Sequence, residues 1–157
     1  MSELELNEFI ELIEFGIVDA VKRTADEFND STSKIIGCAM RVHATLGNGS
    51  QEVIYQRALQ IEMGLAGLGF VREMEMPVIY REELIGTRRV DFFVEDEIMV
   101  ELKALIELED VHMAQGINYL EAYNIKIGLL INFGSKSLQF KRLLNRKHRP
   151  GANKLIM

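Results

Sequence analysis

Apolar residues in the first part of the chain recur at three- and four-residue steps: Leu6, Phe9, Ile10, Ile13, Ile17, Val21, Ala25 and Phe28. That spacing collects one face of a long helix over residues 4–28, with Gly16 as a weak point. Asp30-Ser31-Thr32-Ser33 then places four capping-type residues in a row. This predicts a break and a second helix over about 34–46, with Ile36, Met40 and His43 near one stripe. Gly47-Asn48-Gly49-Ser50 is a strong punctuation. A third helix is expected over about 51–65, ended by glycines at 64, 67 and 69.

Beyond residue 69 the period changes from helical to alternating. In FVREMEMPVIY the even positions Phe70, Met74, Met76, Val78 and Tyr80 are apolar, while Glu73 and Glu75 alternate outward. This reads as a half-buried strand, and Pro77 assigns it to a sheet edge or a bulge. Residues 84–94 and 98–104 read as two further strands, and the short links favour an antiparallel meander. Residues 109–123 return to helical spacing. KIGLLINF, residues 126–133, is almost wholly apolar, as in a strand covered on both faces. Residues 138–144 fit either a last strand or a helix. Three helices, three strands, a helix and a strand suit an α/β sheet with helices on both faces. Residues 1–30 are read as an N-terminal helical extension and 31–157 as the main part of a single compact domain.

Composition narrows the chemistry. The chain has 157 residues, one cysteine (Cys38) and three scattered histidines, His43, His112 and His148. An intramolecular disulfide and a cysteine-rich zinc site are thereby excluded. Cys38 reads as a small apolar filler and His43 as a core or near-core histidine. No apolar stretch is long enough to span a bilayer, and the acidic start MSELELNEF lacks the pattern of a signal peptide. A soluble cytoplasmic protein is expected. The net charge of −6 argues by itself against a polyanion as partner. Its distribution changes that picture, because residues 1–30 carry −7 and residues 136–157 carry +7. The basic end suits either a phosphate-binding edge or a solvated tail.

MVELKALIEL, residues 99–108, carries two charges inside an apolar run. In the two central strands Val90, Phe92, Val94, Ile98, Val100 and Leu102 are all apolar, so this even set is expected to face the core together. Arg89, Asp91, Glu101 and Lys103 then share the opposite face. If Val94 pairs with Ile98 across a three-residue loop, Asp91 falls opposite Glu101, about 5 Å away. Two carboxylates that close repel by roughly 4 kcal/mol at an effective dielectric near 20. One can be protonated, Lys103 can neutralise the pair, or a divalent cation can lie between them. Asp, Glu and a strand carbonyl are hard oxygen donors suited to Mg²⁺ or Mn²⁺. A surface salt-bridge ladder of Asp91, Glu101, Lys103 and Arg89 satisfies the same spacing.

Asp91, nine residues, then Glu101-Leu102-Lys103 resembles the PD-(D/E)xK nuclease signature, with Val90 in place of the usual proline. Gly49-Ser50-Gln51-Glu52-Val53-Ile54-Tyr55 resembles the motif of the GxxExxY family, a bacterial and archaeal branch of that superfamily. VHATLGNG before it, RRVDFFVEDEIMVELKA after it, then AQGINYL and IGLLINFG extend the resemblance over about residues 33–145. It implies a restriction-endonuclease-like, three-layer α/β/α core with a mixed sheet, preceded by three N-terminal helices. It also implies Asp91 and Glu101 as ligands of Mg²⁺ or Mn²⁺, Lys103 as catalytic lysine, and Glu52 as a helix-borne acid on the metal. Tyr55, three residues on, shares the face of Glu52. Gln115 and Tyr119 match a Gln-x-x-x-Tyr element and would contact water, lysine or phosphate. His112 joins their stripe, and Arg89 is placed for a phosphate contact. Without the resemblance, Glu52 reads equally as a first-turn acid favoured by the helix dipole, and the Gln115 stripe as a polar helix face.

The activity implied is metal-dependent phosphodiester cleavage in nucleic acid, DNA above all, with the basic C-terminal segment as a further contact. The alternative is a non-catalytic binding module on the nuclease scaffold. It is motivated by the net charge, the lack of an obvious basic track, and an acidic N-terminal helix suited to a dimer or partner-protein contact.

Overall fold

The computed structural model describes residues 2–3 and 17–151, with side chains described at 2, 3 and 30–151. The described elements are α1 (Ile17–Leu46), α2 (Glu52–Leu65), β1 (Phe70–Tyr80), β2 (Glu83–Val94), β3 (Ile98–Lys103), α3 (Asp110–Ala122), β4 (Ile127–Asn132) and β5 (Gln139–Leu144). The chain divides into two units, Met1–Lys34 and Ile35–Met157, and α1 contributes to both.

The break expected at Asp30–Ser33 does not occur, because α1 runs unbroken from Ile17 to Leu46. Two helices, α1 and α2, precede the sheet among the described elements, and the expected helical face over residues 4–16 lies outside the described residues. Serine and threonine cost only a few tenths of a kcal/mol each inside a helix. Asp30, read as a cap, pairs instead with Lys34 one turn on, at 3.3 Å. Ile35, Cys38, Ala39 and Val42, at helical spacing, are buried, and burying such a stripe outweighs the capping preference.

The five strands form one mixed sheet in the order β1-β2-β3-β4-β5. β1–β2, β2–β3 and β4–β5 pair antiparallel, and β3–β4 pairs parallel. The parallel pair needs a crossover, which α3 supplies. The edge position that Pro77 required is met, since β1 is the outermost strand. Residues 138–144 resolve as strand β5. In β4, Leu129, Leu130 and Ile131 are all buried, as a strand covered on both faces requires.

α2 meets the chain just past β4, and α3 packs on β4 and β5. Tyr55 of α2 stacks on Phe133, just past the strand end, with ring centroids 4.6 Å apart. On α3, Leu120 meets Gly128, and Gly116 leaves the space that Leu143 of β5 fills. The core on the α3 side joins Leu120, Tyr123, Met76, Val90, Phe93, Met99, Leu130 and Leu143. This membership corrects one expectation. Val90 shares a core with Phe93 and Met99, so the apolar even set does not face one way, and the alternation of β2 breaks between Val90 and Phe93.

Candidate functional site

The loop that ends α1 brings the first acidic residue into place. Gly47 takes a left-handed conformation (φ 71°), open to glycine without steric cost. The Tyr55 hydroxyl donates to the Gly47 carbonyl at 2.6 Å and accepts from the Ser50 N–H at 3.1 Å. The tyrosine is fully buried. Its expected binding role is therefore corrected: its hydroxyl is committed to the loop and its ring to Phe133, so it positions the start of α2. Glu52 opens that helix and is exposed at its rim.

The hairpin has the register that the acidic pair requires. Val94 pairs with Ile98, Phe93 with Met99 and Phe92 with Val100, which brings Asp91 opposite Glu101. At that point side chains replace the backbone ladder. The Leu102 N–H donates to Asp91 Oδ2 at 2.8 Å, and the Asp91 N–H lies 3.4 Å from Glu101 Oε1. The other Asp91 oxygen accepts from Gln56 Nε2 at 2.9 Å. Gln56 is buried on α2 in the stripe of Tyr55, Leu59 and Met63. Both oxygens of Asp91 are thus oriented by donors from two different elements.

Lys103 closes β3 and is half-buried. Its carbonyl accepts the Phe133 N–H at 2.9 Å. Asn132, fully buried, holds the chain just beyond it: Oδ1 accepts from Leu105 N–H (2.8 Å) and Gly134 N–H (3.1 Å). Its Nδ2 donates to the Leu105 carbonyl (2.9 Å) and Gln139 Oε1 (3.0 Å). His43 Nε2 lies 2.9 Å from the Ser135 carbonyl, so it is a satisfied, half-buried histidine.

The electrostatics bind these groups together. Burial above all, then the charge of Asp91, pushes Glu101 up to about 8, against the partial relief of the Asp91 N–H and Lys103. Asp91 is raised by burial, opposed by the Leu102 N–H, Gln56 and Lys103, and raised further by Glu73. Glu52, though exposed, is raised by partial desolvation of its carboxyl and by Asp91, with Lys103 opposing. Of the three escapes from carboxylate repulsion, burial and the Asp91 charge act in the direction of protonating Glu101. The salt-bridge ladder does not form: among the described residues Lys103 makes no ion pair, and Arg89 pairs with Glu75 at 3.1 Å, both exposed.

Glu52, Asp91, Glu101 and Lys103 therefore act on one another, and the other expected site residues have surroundings of their own. Gln115 is exposed on α3. Tyr119 lies under the Arg88 guanidinium, 4.5 Å from the ring centroid. His112 Nδ1 accepts the Glu109 N–H at 3.0 Å, and the two residues form a capping box at the start of α3. The donor chemistry fits a hard divalent cation, three carboxylates with a lysine beside them. Among the described residues, however, no three His, Cys, Asp or Glu side chains stand close enough to ligate an ion as they are arranged.

Gln56, Asn132 and Glu73 escaped the reading of the sequence. Gln56 left a signal, a polar residue on an apolar helix stripe, which must find a partner when buried. Asn132, at the end of an apolar strand, left the same one. Glu73 left none, since alternation turned it outward.

The mixed five-strand α/β sheet, with Asp91 and Glu101 opposed between β2 and β3, is consistent with a nuclease-like scaffold. The model of the PD-(D/E)XK nuclease superfamily matches residues 29–143, and the chain belongs to that superfamily. No curated protein and no solved structure matches the chain. Among the described residues no helix is long and apolar enough to cross a membrane.

Proposed function

We propose that the chain is a metal-dependent phosphodiesterase of the GxxExxY type that cleaves nucleic acid, DNA above all. The observation that carries this reading is the opposition of Asp91 and Glu101 across the β2–β3 hairpin, oriented by Gln56 and Leu102. Glu52 reaches the same charges from α2. Asp91, Glu101 and Glu52 are the groups that would hold Mg²⁺ or Mn²⁺, after a side-chain adjustment at the exposed Glu52. When bound, such an ion supplies charge neutralisation at a phosphate and a water acidic enough to act near neutral pH. Lys103 extends from the strand beside the carboxylates. There its ammonium orients the attacking water and meets the charge that develops on the phosphate oxygens. Gln115, Tyr119, Arg89 and the basic segment after β5 are assigned to the nucleic-acid backbone, where lysine and arginine give sequence-independent affinity. The three-layer α/β/α arrangement and a cytoplasmic setting belong to the same reading.

One observation favours a second reading, a binding module on the nuclease scaffold: the carboxylates as arranged do not close a ligand set. In that reading the acidic N-terminal segment serves a dimer or partner-protein contact. Single- and double-stranded DNA incubated with Mn²⁺ separates the two. The nuclease reading requires cleavage by the wild type and its loss in Lys103→Ala. Equal cleavage by both proteins, or none by either, removes it.

A further inference from the structure

We propose that the left-handed backbone of Glu73 is a positioning device that turns the Asp91 carboxylate out of its strand and toward α2. Glu73 has φ 53°. Among the described residues it is the only non-glycine inside a strand with a positive φ. Its neighbours keep a regular register, Arg72 with Phe92 and Met74 with Val90, so the unpaired position facing Glu73 is Asp91.

The consequence is visible in the side chains. Phe92 meets the ring of Phe70 edge-on, 5.6 Å between centroids, while Val90 and Phe93 share the α3-side core with Met76, and Met74 packs against it. Residues 90 and 93 would face opposite ways in a regular strand, so the phase slips by one residue between them. An irregularity of this kind bends a strand and re-aims a side chain. Asp91 lies in the slip, and its two oxygens are received by Gln56 of α2 and by the Leu102 N–H. In this account the backbone at residue 73 does the work, and its carboxylate is secondary. The metal part of the inference rests on the proposed nuclease reading, whereas the hydrogen-bond part stands without it.

The test is a series at residue 73 in the full chain, read in two ways. Glycine takes a positive φ freely, glutamine as readily as glutamate, and the β-branched threonine and valine only as genuine outliers. The first reading is the amide resonance of Leu102, which reports its bond to Asp91. The second is Mn²⁺ affinity by calorimetry. Glu73→Gly and Glu73→Gln should keep the Leu102 resonance and the wild-type affinity. Glu73→Val should lose the resonance position and weaken Mn²⁺ roughly tenfold, the effect typical of removing support from a ligand. Glu73→Thr, also β-branched, should shift Leu102 in the same direction, and it decides the matter if the valine protein does not fold. An unmoved Leu102 in both the threonine and valine proteins, or equal losses in the glycine and glutamine proteins, would overturn the inference. A wild type that binds no Mn²⁺ removes the nuclease reading, and the Leu102 series still judges the kink.

Discussion

Glu101→Gln isolates the most costly feature of the site. The glutamate is pushed from an ordinary value of 4.5 up to about 8, first by burial and then by Asp91. A carboxyl held that high in the folded state favours folding only while protonated. Its contribution is fully present below 4.5, the unfolded value, and is lost as pH rises through about 8. The interval corresponds to about 5 kcal/mol at 1.36 kcal/mol per pH unit. Glutamine keeps an oxygen to accept the Asp91 N–H and carries no charge to desolvate. Urea denaturation with a chelator at pH 4, 6, 8 and 9.5 measures the effect. At pH 4 the two proteins should differ little. The variant should gain on the wild type through pH 6 and 8 and be more stable by a few kcal/mol at pH 9.5. A difference that does not vary with pH, or a variant that is the less stable one at pH 9.5, would refute the assignment of Glu101 as a desolvated, protonated acid.

Other perturbations address the supports of the site. Gln56→Leu removes a donor to the Asp91 carboxylate and should cost about 1–3 kcal/mol at pH 7 by denaturant unfolding; a neutral result would show that the bond is not made in solution. Tyr55→Phe deletes the hydroxyl that joins the Gly47 carbonyl to the Ser50 N–H. It should destabilise by about 1–3 kcal/mol and speed hydrogen exchange at Ser50. Unchanged exchange at Ser50 would contradict the latch. Lys103→Ala should leave thermal stability within about 1 kcal/mol, since Lys103 makes no ion pair in the chain as described, while nuclease activity with Mn²⁺ disappears; retained activity would count against its catalytic role.

Much of the fold was legible because burial writes a period into the sequence. FVREMEMPVIY gave β1 to its end residues, and Pro77 gave its edge position. The three-residue loop placed Asp91 against Glu101, a purely local consequence of hairpin geometry. The misread elements are those where distant contacts overrode a local preference. Asp30–Ser33 has the composition of a cap, yet the apolar stripe from Ile35 to Val42 carries α1 straight through. Spacing assigns Tyr55 to the face of Glu52 as a binding residue, and Phe133, about eighty residues on, takes its ring into the core. Residues 138–144 were ambiguous because a short amphipathic run fits both periods, and pairing with β4 decides it. The phase slip at Glu73 and Asp91 had no signature, since a glutamate with positive φ looks like any other in a sequence.

The central claim is that Glu52, Asp91 and Glu101 form a cation site beside Lys103. Calorimetric titration of Mn²⁺ into the wild type, Asp91→Ala and Glu101→Ala at pH 7.5 tests it most directly. The account predicts saturable binding by the wild type, accompanied by proton release from Glu101, and its loss in both variants. Binding of equal strength in all three proteins, or no binding by the wild type at millimolar Mn²⁺, would contradict it.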